Sequence, residues 1–170
     1  MAAPAPAAVV VMGVSGAGKT TIGRLLAERL GPPWRFVDGD DLHPPRNVAR
    51  MRAGQPLDDA DRAPWLDRVR AVIAGARAGG APVVIACSAL KRAYRDRIGA
   101  GAPDVRLVWL HGDPQLIRSR LEARRGHFMT AAMLDSQLAT LEPPGKDEAA
   151  VAVDVAGPPG QAVAAALARL

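Results

Sequence analysis

The sequence predicts an α/β fold built on a doubly wound parallel sheet with helices on both faces. Three observations predict it. Short apolar runs alternate along the chain with segments of helical periodicity. Most of those runs are continuous, as expected of strands buried on both faces. A glycine-rich turn follows the first run directly and opens the first helical segment.

The first strand is expected over Val9–Met12. Gly13-Val14-Ser15-Gly16-Ala17-Gly18-Lys19-Thr20 follows it and fits the phosphate-binding pattern G-x-x-x-x-G-K-[ST] in full. Ile22, Leu25, Leu26 and Leu30 then recur at helical spacing, and Gly31 can end that helix. A strand before and a helix after separate a working P-loop from a chance match. The glycines let backbone N–H groups turn inward around phosphate oxygens, and the helix N-terminus adds positive potential there. Lys19 is expected on the β- and γ-phosphates of ATP, and the Thr20 hydroxyl on Mg²⁺. The fold is therefore a P-loop NTPase-type three-layer sandwich.

A second strand, Arg35–Val37, leads into Asp38-Gly39-Asp40-Asp41-Leu42-His43-Pro44. Three carboxylates in four residues repel unless a cation, a hydroxyl-bearing ligand or solvent relieves them. After a strand of a P-loop domain, Asp38 is expected to hold hydrated Mg²⁺ and Asp40 to take a proton from an acceptor hydroxyl. The competing expectation is a solvated turn that caps a helix. His43 orients substrate or caps the turn; Asn47 and Arg50 suit a polar, anionic substrate.

Trp65, Leu66, Val69, Ile73 and Ala76 form the next helical stripe, ended by Gly79-Gly80. The third strand, Val83–Cys87, precedes Ser88, Lys91 and Arg95. A hydroxyl and two cations four residues apart on one helical face suit an anionic or polyol substrate. The fourth strand, Val105–Leu110, is followed by a helix that Asp113-Pro114 starts. Arg120 and Arg124 are expected on one face of it, ahead of a Gly126 hinge, as part of a lid over about residues 118–142. A fifth strand, Val151–Val155, and a helix through Val163, Leu167 and Leu170 complete the alternation.

A chain of 170 residues suits a single domain, residues 1–170. Only 4% of residues are aromatic, so the core must be Val, Leu, Ile and Ala. The formal charge of +5 fits an anionic ligand such as ATP. Nucleic acid is disfavoured, because no aromatic-rich basic strand, zinc pattern or long Lys/Arg run accompanies that charge. Cys87 is the only cysteine and sits in an apolar run, so a buried inert thiol is expected. No apolar run reaches membrane-span length, and the first eight residues carry no cationic leader, which points to the cytoplasm.

Taken together, the segments resemble the gluconokinase family of small P-loop kinases. The carrying strings are Met12–Thr20, Asp38-Gly-Asp-Asp-Leu-His-Pro44 with Asn47, Gly54-Gln-Pro-Leu-Asp58, Asp61-Arg62 and Pro64-Trp65-Leu66. Cys87-Ser-Ala-Leu-Lys91, Tyr94-Arg95-Asp96, Arg124, Gly126-His127-Phe128 and Gln137 with Leu141-Glu142-Pro143 continue the match to about Val155. The resemblance implies five parallel strands, a homodimer and ATP-dependent phosphorylation of D-gluconate at its 6-hydroxyl. It implies Lys19, Asp40 and Arg124 as catalytic residues. His43, Asn47, Arg50, Ser88, Lys91, Arg95 and His127 join Asp40 around the substrate. Arg50 stands where the family usually has Lys, which keeps the cation but not its geometry. A shikimate-kinase-like enzyme for another small metabolite, and a nucleotide-driven switch, are the competing functions.

Overall fold

Residues 3–124 and 131–170 are described by the structure, a computed structural model. Five strands form one parallel sheet. β1 (Ala8–Met12) lies at its centre between β3 (Val83–Ala86) and β4 (Val105–His111), with β2 (Arg35–Asp38) and β5 (Val151–Asp154) at the edges. The order β2-β3-β1-β4-β5 sets Val10 beside Ile85 on one side and Leu107 on the other. Each strand falls within one residue of its expected ends.

Burial follows position in the sheet. Every residue of β1 and β3 is enclosed. The edge strands are less so: in β5, Val151 and Val153 are buried while Ala152 and Asp154 are exposed. An edge strand has a neighbour on one side only, so continuous burial was expected too widely. The enclosed residues are mostly Val, Leu, Ile and Ala, with Trp65 and Tyr94 as buried aromatic exceptions.

Among the described residues, seven α-helices connect and cover the strands. α1 (Lys19–Leu30) ends at Gly31, whose φ of 75° suits glycine, and packs beside α7 (Pro159–Leu167) on one face. α3 (Asp59–Arg77) and α4 (Arg92–Ile98) pack together on the other. The expected Asp113 cap accepts a hydrogen bond from the Gln115 N–H and starts α5 (Pro114–Glu122). Two helices were not anticipated, α2 (Pro45–Arg52) and α6 (Ala131–Thr140). Proline at the first position of α2 was a usable start signal, but Val48 and Met51 are too few for a readable stripe. Among the described residues no helix is long and apolar enough to cross a membrane.

The turns that follow β1, β2, β3 and β5 gather at the carboxyl end of the sheet, where doubly wound folds bind ligands.

Candidate functional site

The turn after β1 is a cradle made of backbone. Gly13, Gly16 and Gly18 all take positive φ. Gly16 shows why glycine is needed: at φ +87° a Cβ would also lie 2.9 Å from the Ile117 carbonyl oxygen of α5. Lys19 projects into the cradle, and its ammonium donates to the Val14 carbonyl at 3.0 Å. Burial pushes its pKa below the usual lysine range, opposed by the charge of Asp40. A desolvated cation inside a ring of glycine-turned backbone is suited to a polyphosphate. Val14, Ser15 and Ala17 are buried in the same turn.

The acidic turn after β2 meets the cradle. Asp38 Oδ2 accepts from the Thr20 hydroxyl at 3.0 Å, and its Oδ1 accepts from the Asp40 N–H at 3.0 Å. Asp38 thus caps the 3₁₀ turn Gly39–Leu42, as the capping expectation has it, and also faces the cradle through Thr20. Gly39 must be glycine, because a Cβ there would lie 2.3 Å from the Ala86 carbonyl oxygen of β3. That contact brings Asp40 to the cradle. Thr20 and Asp38 offer the hard oxygens Mg²⁺ prefers. Among the described residues no cluster of three His, Cys, Asp or Glu side chains could form a protein cage. Two oxygen ligands beside a phosphate cradle fit Mg²⁺, which usually keeps waters and leans on substrate phosphates.

A chamber opens beside the cradle. Ser15, Lys19 and Asp40 line both spaces. The chamber's far wall includes His43, Arg62 and Trp65, its floor Met51, Leu57 and Met133. Trp65 is anchored by its indole N–H on the Gly39 carbonyl at 2.8 Å, and His43 stacks on it with ring centroids 4.2 Å apart. The Asn47 amide nitrogen donates to the Asp61 carbonyl at 2.9 Å and lies 3.2 Å from His43 Nδ1. A carbonyl only accepts, which fixes the orientation of that amide. His43 Nδ1 must then accept, leaving Nε2 as the protonated donor. Burial, and then the charge of Arg62, push the His43 pKa down to about 4. His43 is a neutral donor of fixed tautomer.

On the other side of the cradle, Arg120 and Arg124 line a second space with Thr21 and Pro158. Arg120 donates to the Val155 carbonyl and, at 3.2 Å, to that of Ala156. Arg124 also lines the cradle itself, beside Asp38 and Asp40.

A family model described as an AAA domain matches residues 9–144. The gluconokinase of Gluconobacter oxydans strain 621H is 49% identical over 148 residues, spanning 87% of this chain and 82% of its own length. The chain belongs to the gluconokinase family. The crystal structure of a gluconokinase from Sinorhizobium meliloti 1021 is 44% identical with a TM-score of 0.84, covering 99% of this chain and 92% of its own. Shikimate kinase from Aquifex aeolicus, 14% identical with a TM-score of 0.56 over 95% of this chain and 94% of its own, shares the fold. A P-loop kinase of this family uses a nucleotide.

Measured against this gluconokinase fold, some expected site residues converge and others do not. Asp40, His43 and Ser88 line the chamber. Asn47 stands behind His43 and touches it rather than lining the chamber itself. Arg95 does not belong to the site. It is 1% exposed, its guanidinium grips Glu148 at 2.6 and 3.1 Å, and it also donates to the Ala89 and Leu90 carbonyls. Lys91 is not on one helical face with it, because α4 begins only at Arg92; Lys91 turns to Asp59 at 3.3 Å. Arg50 is 3.3 Å from Asp61 Oδ2, which also accepts from the Asp58 N–H, while Arg46 holds the other carboxylate oxygen, Oδ1. Arg124 lies past the cap of α5 and so shares a space, not a helical face, with Arg120. His127 lies outside the described residues. Cys87 is fully enclosed, and burial pushes its thiol up to about 12, as an inert core residue requires.

Sequence reasoning missed Arg62, Met133 and Gln137 as site residues. The Gln137 carboxamide oxygen accepts from the Ser15 N–H at 2.7 Å, a link across 122 residues that no local pattern announces. Arg62 stood in the sequence as part of the family string Asp61-Arg62, with no role attached to it.

Proposed function

We propose that this chain transfers the γ-phosphoryl group of ATP to the 6-hydroxyl of D-gluconate, giving 6-phospho-D-gluconate and ADP. One observation carries the reading. Asp40 and Lys19 line both the phosphate cradle and the chamber beside it, so a base and a phosphate-binding cation meet where donor and acceptor would meet. Asp40 accepts the hydroxyl proton as the acceptor oxygen bonds to the γ-phosphorus. The bond from that phosphorus to the β–γ bridging oxygen breaks, and its electron pair leaves with ADP. Lys19 and Arg124 stabilise charge on the transferring group. Thr20 and, through water, Asp38 would hold Mg²⁺, which neutralises phosphate charge when bound. Neutral His43 donates to a substrate oxygen, and Ser88 supplies a second polar contact.

The apolar floor of Met51, Leu57 and Met133 restricts water at the acceptor end, which favours transfer over hydrolysis. The family also suggests a cytoplasmic homodimer; sedimentation of the purified protein tests the assembly. A coupled ADP-release assay across a panel of sugar acids tests the activity. ADP release should depend on gluconate and yield a phosphomonoester. Equal release without any acceptor would instead mark an ATPase or switch.

A further inference from the structure

The chamber needs a cation for the carboxylate of a sugar acid, and most nearby cations are already neutralised. Arg46 pairs with Asp61 at 2.8 Å and Arg50 with the same carboxylate at 3.3 Å. Lys91 pairs with Asp59, and Arg95 with Glu148. Lys19 serves the phosphates. Arg62 differs from all of these. It lines the chamber one helical turn before Trp65 on α3, and among the described residues it forms no ion pair.

Its orientation is nonetheless fixed. Arg62 Nη1 donates to the Tyr94 hydroxyl at 3.1 Å, and its guanidinium carbon sits 5.3 Å from the centre of that ring. The Tyr94 hydroxyl in turn donates to Asp59 Oδ1, the same oxygen that Lys91 holds at 3.3 Å. Only one nitrogen of the guanidinium is used this way. The planar fork still has donors for a bidentate carboxylate, in surroundings partly walled by Trp65 and Leu57 where a charge-assisted bond is strengthened.

We infer that Arg62 binds the carboxylate of the acceptor and sets the preference for sugar acids over neutral polyols, with Tyr94 as its positioning residue. This rests on the gluconate reading above, and it gives the carboxylate to Arg62 rather than to Arg50, whose charge Asp61 already holds. Arg62 and the Asp40–Lys19 pair then fix the two ends of an extended acid, so a terminal hydroxyl remote from the carboxylate is the one offered to the phosphate.

The test compares wild type, Arg62→Ala, Arg62→Lys, Tyr94→Phe and Arg50→Ala with D-gluconate and with D-sorbitol, a neutral chain of the same length. Wild type must first show gluconate-dependent ADP release; its absence sinks the substrate reading itself, and the Arg62 assignment with it. Given that activity, Arg62→Ala should raise the gluconate KM roughly 10- to 100-fold, the loss of one charged hydrogen-bonding group. The ATP KM should stay within about twofold, and the gluconate-to-sorbitol ratio of kcat/KM should collapse. Arg62→Lys should recover part of the ratio, because it restores charge without the fork. Tyr94→Phe should raise the gluconate KM less than Arg62→Ala. An unchanged ratio in Arg62→Ala, equal losses for both acceptors, or the KM rise at Arg50→Ala instead, would overturn the assignment while leaving the kinase reading standing.

Discussion

The phosphate cradle and the acceptor chamber are built in opposite ways. The cradle is eight consecutive residues, Gly13 to Thr20, held between β1 and α1. Most of its binding groups are backbone N–H, so its demands on sequence are local: glycine where φ is positive and one Lys at a fixed place. The chamber draws its walls from α2, α3, the turn after β3 and α6. Its members are fastened by long-range pairs, Trp65 to Gly39 and Asn47 to Asp61. A backbone site can be written as a contiguous motif. A side-chain site is written in tertiary contacts, and each contact can fail separately.

Lys19→Ala breaks the comparison on the cradle side and carries the largest expected effect. It removes the one side chain the cradle cannot do without. Phosphoryl transfer should be abolished in a protein that melts normally, because the P-loop lysine stabilises phosphate charge that backbone alone does not neutralise. A folded mutant with near-native turnover would mean that the glycine turn does not hold the triphosphate.

Asp40→Asn tests the seam between the two regions. The amide keeps size and hydrogen bonding but cannot take the proton. Turnover should fall by about 10²- to 10⁴-fold, with the ATP KM little changed. If ATP affinity falls as far as turnover, Asp40 belongs to the cradle rather than to the acceptor.

Legibility followed the same division. The five strands and most helices were readable, because continuous apolar runs and turn residues report local burial and geometry. The P-loop was readable in full. In the chamber, Asp40 and His43 were readable because they lie in a short segment directly after a strand. The role of Asp61 was not. Its carboxylate receives Arg46 and Arg50 while its carbonyl holds Asn47, three residues from another helix. Spacing predicted that Lys91 and Arg95 share a face, yet the helix starts between them and sends them to different carboxylates. Periodicity sees a helix, but not the residue at which it begins.

Arg95→Ala sharpens the boundary of the chamber. Removing one partner of a buried ion pair leaves Glu148, only 9% exposed at its side chain, without its main counter-charge. Chemical denaturation should show a loss of about 3–5 kcal/mol, the usual cost of breaking such a pair. The folded fraction should keep its gluconate KM. A raised KM without loss of stability would extend the chamber to α4 and restore Arg95 to the substrate.

The smallest effect expected is a pH dependence that the chamber has through His43. In the folded chain its pKa is about 4, against an ordinary value of 6.5, chiefly because burial disfavours the imidazolium. Between those values the unfolded chain binds a proton that the folded chain does not. Stability from this group is therefore fully present above pH 6.5 and is lost as pH falls toward 4. The slope cannot exceed about 1.4 kcal/mol per pH unit, the worth of one proton. Carboxylates titrate in the lower part of this range too, so the informative quantity is the difference between wild type and His43→Gln. Urea denaturation from pH 7 to 4.5 should give a shallower decline for the variant. In wild type, kcat/KM for gluconate should show no break near pH 6.5 from His43, because the ring stays neutral there. Parallel stability curves for the two proteins, or a kinetic break near 6.5 that His43→Gln removes, would mean that Asn47 and Trp65 do not hold the imidazole as a neutral donor.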